Sequence, residues 1–220
     1  MDPKPLIIIP YRDRATHLSC LTLHLQQYWP DIDICVCEQA DTHVWNKGLL
    51  FNAVYRLLSG AYDYFILHDV DFIPSTTVDY SYTPQPTLLA TECSQFNYQH
   101  CYDRFFGGVV GVNRADYATI NGFSNQFRGW GGEDDSLYQS FVRRGRQPTK
   151  RMGNRFENFV HPRLDVLGRD KNNADYNHNL QLLNSPRDFS NGISNINDYI
   201  ERYEVVNHNN YIHIKIHTHG

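Results

Sequence analysis

Two acidic clusters are spaced for chemistry. The first, Asp69-Val70-Asp71, follows the apolar run Tyr64–Leu67 and His68. Residues two apart on an extended backbone point the same way, so both carboxylates leave the strand on one side. Two hard oxygen donors suit Mg²⁺ or Mn²⁺, above all where phosphate oxygens complete the coordination. The carboxyl end of an apolar strand is also where open α/β sheets bind ligands. A pair of solvated loop aspartates is the bland alternative, and the pattern alone does not decide between them. The second cluster is Trp130-Gly131-Gly132-Glu133-Asp134-Asp135. Acids at a helix start are stabilised by the helix dipole whatever their function. The paired glycines go further, because they let another chain or a sugar approach the backbone closely. Trp130 offers a flat apolar face for a pyranose ring, and a carboxylate beside it can take a proton from a sugar hydroxyl.

An apolar strand ending in D-x-D occurs in two enzyme classes: phosphohydrolases with an aspartate nucleophile, which here would be Asp69, and glycosyltransferases that hold a nucleotide-sugar diphosphate through a metal. The first class wants Gly-Thr after the motif and places it on the opening strand. Here Phe72-Ile73-Pro74 follows, and two strand candidates come earlier. Glycosyl transfer is favoured. A carbohydrate-binding module that has lost turnover is the reading from outside the enzymes.

The elements that must position these clusters alternate. Leu6–Ile9 reads as a buried strand stopped at Pro10; Leu18, Leu21, Leu25 and Tyr28 recur at helical spacing up to Pro30. Asp31–Glu38 alternates as a second strand, Leu50, Val54, Leu57 and Leu58 mark a second helix closed by Gly60, and Tyr64–Leu67 is the third strand. Strand–helix–strand–helix–strand implies a mostly parallel central sheet flanked by helices, an α/β fold. Phe105–Asn113 is a further strand candidate. Leu137, Tyr138, Phe141 and Val142 share one face of a helix that starts at the acidic cluster and ends at Gly145. In the last residues Ile212, Ile214 and Ile216 face one way and His213, Lys215, His217 and His219 the other. They read as an edge strand with a solvated histidine face rather than a metal site. His68 reads as a packing residue beside the D-x-D strand.

Composition narrows the classes. The 220 residues carry 20 Lys and Arg against 24 Asp and Glu, a net charge of −4, so no basic surface invites nucleic acid. No apolar run is long enough to span a bilayer, and no leader precedes the first strand. Together with five cysteines, an odd count without a C-x-x-C pair, this predicts a soluble cytoplasmic protein with reduced thiols. A Golgi lumen is expected instead if the chain is trimmed. The 14% aromatic share fits both core packing and a sugar-gripping surface.

Four blocks, in order, resemble the β-1,4-galactosyltransferase family: Ile8-Ile9-Pro10-Tyr11-Arg12-Asp13-Arg14, Trp45-Asn46-Lys47-Gly48-Leu49-Leu50-Phe51-Asn52, Phe65-Ile66-Leu67-His68-Asp69-Val70-Asp71 with Phe106-Gly107-Gly108-Val109 beyond it, and Ile120-Asn121-Gly122-Phe123-Ser124-Asn125 running on to Gly129–Asp135. The match covers Ile7 to about Asp135 and thins after Gly145. It implies a GT-A (Rossmann-like) fold and an inverting transferase that uses a UDP-sugar, a saccharide or glycoconjugate acceptor and Mn²⁺, or Mg²⁺. One catalytic domain, 1–220, is expected, with a nucleotide-sugar half over about 1–75 and an acceptor half over about 76–220.

By the same resemblance Pro10, Tyr11, Arg12, Arg14, Trp45, Lys47, Asp69, Phe105 and Gly108 line the nucleotide-sugar site. Trp130, Gly132, Glu133 and Asp134 bind the sugars, and Asp134 is the base. Asp71 and His161 are metal ligands. The family often has Met or His two or three positions before that histidine. Here Phe159 and Asn158 stand there, so Asn158 is the candidate third ligand through a carbonyl oxygen. Lys47 replaces an arginine, keeping charge but losing the fork geometry. Phe105 stands at the donor-selecting position, and its bulk favours the small C2 hydroxyl of galactose. The polar segment Pro162 to Asn179 is expected to close as a lid over bound donor.

Overall fold

The apolar run at the start of the chain forms the middle of the molecule. Leu6, Ile7, Ile8 and Ile9 are wholly buried in strand β1 (Pro5–Tyr11), because the sheet continues on both sides and both faces are covered. The computed structural model describes residues 2–99, 101–159, 174–208 and 210–219. Helix α1 (Ala15–Tyr28) buries Leu18, Leu21 and Leu25, leaves Tyr28 exposed, and stops before Pro30. Strand β2 (Asp33–Gln39) follows; it is buried along most of its length, so its apparent alternation belongs to an interior strand. Helix α2 (Lys47–Leu58) is capped by Asn46, whose side chain accepts from the Leu49 N–H at 3.0 Å, and it packs on β1 and β2. Strand β3 (Tyr64–His68) completes the parallel unit.

The rest of the chain builds outward from that unit. Strands β4 (Phe72–Pro74), β5 (Thr87–Leu88), β6 (Glu92–Cys93) and β7 (Val109–Asn113) lead to helices α3 (Arg114–Thr119) and α4 (Glu133–Arg143). Then come β8 (Thr149–Lys150), β9 (Arg155–Asn158), helix α5 (Ala174–Asn184) and the hairpin β10 (Ile200–Asn207) and β11 (Ile212–Thr218). The main sheet runs β10-β11-β2-β1-β3-β7-β5-β8, and β4-β9-β6 forms a small second sheet. The ladders β11/β2, β2/β1 and β1/β3 are parallel, whereas β7 pairs antiparallel with β3. This is the expected α/β fold with a mostly parallel centre.

Three boundaries differ from expectation. The strand expected from Phe105 begins only at Val109, since Gly107 and Gly108 make a turn in which Gly108 has φ +74°. On α4, Leu137 and Phe141 are buried, but Val142 is exposed. The last strand is not an edge. It pairs in parallel with β2, and β10 covers its other side. Ile214 and Ile216 are fully buried as expected, and His213 faces Glu38, its Nε2 2.9 Å from the carboxylate. Cys20, Cys35, Cys37 and Cys93 are free thiols, the last three of them buried. Among the described residues no helix is long and apolar enough to cross a membrane.

The Asn-rich stretches form a scaffold of buried amides. Asn52 on α2 donates to Phe123 O (2.9 Å) and Asn125 Oδ1 (2.8 Å), and accepts from the Tyr117 hydroxyl (2.8 Å) and the Phe123 N–H (3.0 Å). Asn125 donates on to Gly192 O at 2.7 Å, and Asn191 Oδ1 accepts from the Asn125 N–H at 2.8 Å. The segment Ile120–Asn125 is thereby bolted to α2 and to the 3-10 turn Ile193–Asp198. Gly122 (φ +67°) lies so close to Asn52 Oδ1 that a β-carbon would overlap it. Replacing Asn52 by Ala strands several buried partners. The expected loss is about 3 kcal/mol of unfolding free energy in urea; a change under about 0.5 kcal/mol would contradict the scaffold.

Candidate active site

β3 ends at His68 and the chain turns through Asp69 to Asp71, whose strand β4 lies against β9. The Asp69 N–H donates to Gly108 O at 2.8 Å, which ties the acidic turn to the glycine turn before β7. His68 is fully buried, with Nε2 2.9 Å from the Tyr80 hydroxyl and Nδ1 2.9 Å from Asp69 O. Burial pushes its pKa down to about 4, so it is a neutral packing residue that fixes the turn.

Opposite this turn, α2 and α4 both present their first residues. Lys47 Nζ is 2.9 Å from Glu133, 2.9 Å from Asp134 and 3.6 Å from Asp69, with only 11% of its side chain exposed. Burial alone favours neutral lysine, but Asp134, Asp69 and Glu133 outweigh it and hold the pKa well above its ordinary value. Burial raises Asp134, and crowding by Glu133 and Asp69 adds to this against the pull of Lys47, lifting it to about 8. Asp69 is raised to about 6 by burial and by Asp71 and Glu133, again opposed by Lys47. Gly107 passes so near the Asp134 carboxylate that any β-carbon there would collide with it. Only glycine permits this approach.

Arg14 Nη1 is 3.8 Å from Asp71, and the Phe159 N–H donates to Asp71 O at 3.0 Å. Four carboxylates thus face two cations, a formal excess of two negative charges when all four are ionised. Hard oxygen donors carrying that excess fit a divalent cation whose remaining ligands come from a diphosphate. Among the described residues no three His, Cys, Asp or Glu side chains form a metal cage. His161 lies outside the described residues. Asn158 is turned elsewhere: its side-chain oxygen lies 3.4 Å from Ser94 Oγ and 3.3 Å from the Gln95 N–H, while its Nδ2 is buried without a partner. The position expected to supply a carbonyl ligand is engaged with the 3-10 turn Ser94–Phe96.

At the carboxyl end of β1, Pro10 and Tyr11 lead into Arg12, whose guanidinium lies 5.3 Å over the Trp45 ring and donates to His43 O at 2.7 Å. Asp13 takes the left-handed conformation (φ +53°), turning the chain so that Arg14 reaches Asp71. Gly129 N–H donates to Trp45 O at 2.7 Å, joining this side to the loop of Trp130. Trp130 is 38% exposed and stacks on Tyr176 with centroids 6.0 Å apart. Asn179 clamps the same loop, donating to Arg128 O at 2.6 Å and accepting from its N–H at 3.2 Å. Gly132 (φ +88°) begins α4, and Phe105 packs edge-on against Phe96 (5.7 Å) and Tyr102 (5.5 Å).

Of the expected residues, Asp69, Glu133 and Asp134 meet at Lys47, Arg14 reaches Asp71 and Arg12 lies over Trp45. Asn158 stands apart, His161 lies outside the described residues, and Lys47 is bound to carboxylates rather than standing as an open phosphate ligand. The expected lid is divided: 162–173 lie outside the described residues, and 174–179 belong to helix α5, packed on the Trp130 loop. Sequence reasoning missed Tyr102, whose hydroxyl donates to Asp135 at 2.9 Å, and missed Tyr176 and Asn179. These depend on packing between segments remote in sequence. Lys47→Met would leave three crowded carboxylates without their cation; the expected destabilisation is about 3 kcal/mol in urea, with a smaller loss for Lys47→Arg. Equal stability of wild type and Lys47→Met would refute the central role of this cation.

Two family models match: the "N-terminal region of glycosyl transferase group 7" over residues 2–83 and the "N-terminal domain of galactosyltransferase" over 87–163. The chain is 32% identical over 205 residues to beta-1,4-galactosyltransferase 6 of Rattus norvegicus, covering 88% of this chain and 52% of that protein. It is 43% identical over 142 residues to a beta-N-acetyl-D-glucosaminide beta-1,4-N-acetylglucosaminyl-transferase of Lymnaea stagnalis, covering 61% and 29%. The chain thus spans about half the length, or less, of these curated relatives. The catalytic domain of Drosophila beta-1,4-galactosyltransferase 7, solved with xylobiose, superposes with a TM-score of 0.76 at 25% identity over 98% of this chain and 93% of that one. A variant of the same enzyme was solved with manganese, UDP-Gal and xylobiose.

Proposed function

We propose that this chain, which belongs to the β-1,4-galactosyltransferase family, is a metal-dependent inverting glycosyltransferase that moves galactose from a UDP-sugar to a saccharide hydroxyl, forming a β-linkage. The observation that carries this reading is the meeting of Asp69, Glu133 and Asp134 on Lys47, with Asp71 beside them. The Drosophila relative solved with manganese, UDP-Gal and xylobiose supports it. In this reading residues 1–75 serve the nucleotide sugar and 76–220 the acceptor, within one catalytic domain.

Pro10, Tyr11, Arg12 and Trp45 form the wall for the nucleoside, with the Arg12–Trp45 pair as its flat face. Arg14 supplies positive charge toward the diphosphate, while Lys47 holds together the carboxylates beside it. Asp71, with His161, would hold the divalent cation; when bound, that cation neutralises charge building on the departing UDP. Trp130, Gly132 and Glu133 orient the sugars. Asp134 takes the proton of the acceptor hydroxyl as that oxygen bonds to C1, and the bond from C1 to the diphosphate breaks with its electron pair. Attack opposite the leaving group inverts the anomeric carbon. Phe105, held by Phe96 and Tyr102, narrows the donor pocket at C2 and favours galactose. The phosphohydrolase alternative falls with the family membership.

UDP release is measured with UDP-galactose, UDP-N-acetylgalactosamine, UDP-glucose and UDP-N-acetylglucosamine against simple sugars. It should be fastest with UDP-galactose and Mn²⁺ and stop on chelation. Asp134→Asn should lower the rate by ~10²–10⁴-fold and leave UDP binding intact; a normal rate sinks the base assignment. Metal-dependent UDP binding without transfer to any acceptor would instead favour a binding module. A base with a raised pKa must be deprotonated to act. The wild-type rate should therefore climb with pH through an ionisation above the ordinary carboxylate value of 3.8. A flat profile from pH 5 to 8, about the range of the limb, would count against Asp134.

A further inference from the structure

We infer that the acceptor is an acidic saccharide whose sulfate, phosphate or carboxylate lies against Arg143 and Arg187, at the far end of a furrow that starts beside the transfer site. The inference rests on the glycosyltransferase reading and names the class of acceptor for that same site.

Asp135, Gln139 and Arg143 recur every four residues along α4 and so line one stripe of the helix. The stripe is joined by contacts: Tyr102 donates to Asp135 at 2.9 Å, and Arg143 Nη2 donates to Gln139 Oε1 at 3.2 Å. Beside it run two adjoining hollows of about 290 and 40 Å³, which share Gln139 and Leu183, the latter from α5. The larger opens at Tyr102 and Asp135, next to the acidic centre, and the smaller ends at Arg143 and Arg187. Eight helical residues separate the two ends, about 12 Å at the rise of an α-helix. A short run of linked sugar rings spans that distance.

The far end is short of negative charge. Among the described residues neither Arg143 nor Arg187 forms an ion pair. Arg187 donates to the carbonyls of Asp188 and, at 3.4 Å, Gly122, while its Nε is buried without a partner. Arg187 and Arg144 both lie over the Phe189 ring, at 5.6 and 4.0 Å, so a third guanidinium adds to the same corner. The nearest acid, Asp188, is turned to Ser190, accepting from its N–H at 2.8 Å and its hydroxyl at 2.7 Å. Burial, opposed by Asp188 and Tyr117 and helped slightly by Arg143, draws the Arg187 pKa down to about 10. Asp188 also lines the hollow and attracts Arg187, but it makes no ion pair with it, and an anion on the ligand would add to that partial compensation of a half-buried guanidinium. Ser136 lines the same hollow and its hydroxyl can donate to an anionic oxygen, whereas the Ser124 and Ser185 hydroxyls already donate to Asn191 Oδ1 and Gln181 O.

The test titrates a sulfated oligosaccharide, its desulfated counterpart and inorganic sulfate into the protein by calorimetry at constant ionic strength. The sulfated saccharide should bind about tenfold more tightly than the neutral one, and the exposed-site variant Arg143→Gln should remove most of that difference. In UDP-release assays the sulfate should lower the acceptor KM with little change in kcat, and Arg143→Gln should raise KM for the acidic acceptor only. Equal affinity for both saccharides, an unchanged Arg143→Gln, or inorganic sulfate binding as tightly as the sulfated chain would each overturn the inference. The last result means an ion pocket unrelated to the acceptor. Should no acceptor yield UDP while the sulfated chain still binds through Arg143, the enzyme reading fails and the saccharide site stands.

Discussion

Everything at the candidate site depends on one buried cation. Lys47 draws Asp69 from the end of β3 and Glu133 and Asp134 from the start of α4 to within 3.6 Å of one ammonium. Without it three carboxylates in a poorly solvated space would repel one another and the two halves of the site would part. The arrangement is not balanced by lysine alone. Burial, with the neighbouring carboxylates adding to it against the pull of Lys47, favours the protonated forms of Asp69 and Asp134 while no divalent cation is bound. An acid cluster neutralised only in part is therefore both costly to the fold and suited to a charged ligand.

The cost has to be met by rigidity elsewhere. α2 supplies it from its N-cap and its middle: Asn46 caps the helix and donates to Asn125 O at 2.7 Å, while Asn52 anchors Phe123 and Asn125. The residues nearest Lys47 in sequence are thus bonded to the loop that leads to Trp130. Gly48 serves the same contact, because a β-carbon there would sit 2.7 Å from the Phe123 β-carbon. The Ile120–Asn125 block is a structural latch, and its amides find their partners within the protein rather than in a ligand.

Much of this was legible in the residues. The parallel core was readable because Leu6–Ile9 and Tyr64–Leu67 are uninterrupted apolar runs between helical periods, a pattern with few other solutions. The acidic turn and the α4 start were readable from spacing, glycine and tryptophan. What failed was longer in range. The β10–β11 hairpin escaped because β10 is exposed along its length and carries no alternation, so β11 looked like an edge. The turn before β7 escaped because Phe105 and Phe106 continue the apolar signal into a glycine pair whose positive φ has no hydrophobic mark. Tyr102, Tyr176 and Asn179 reach the site through contacts of 33 to 51 residues' separation or between loops, which no local window reports.

α4 also separates what its own electrostatics explains from what it does not. Acids in the first turn and arginine in the last are the order the helix dipole prefers, so that order by itself implies no ligand. The dipole does not account for Asp134 reaching across to Lys47 on another helix, in a gap that only Gly107 leaves open. Nor does it account for Arg187, which comes from a different segment and places a second guanidinium beside Arg143 where a carboxylate would have been stabilising. Both departures bring like or crowded charge together against the local preference. They occur at opposite ends of α4, and they call for opposite partners: a divalent cation at the crowded carboxylates, an anion at the paired guanidiniums.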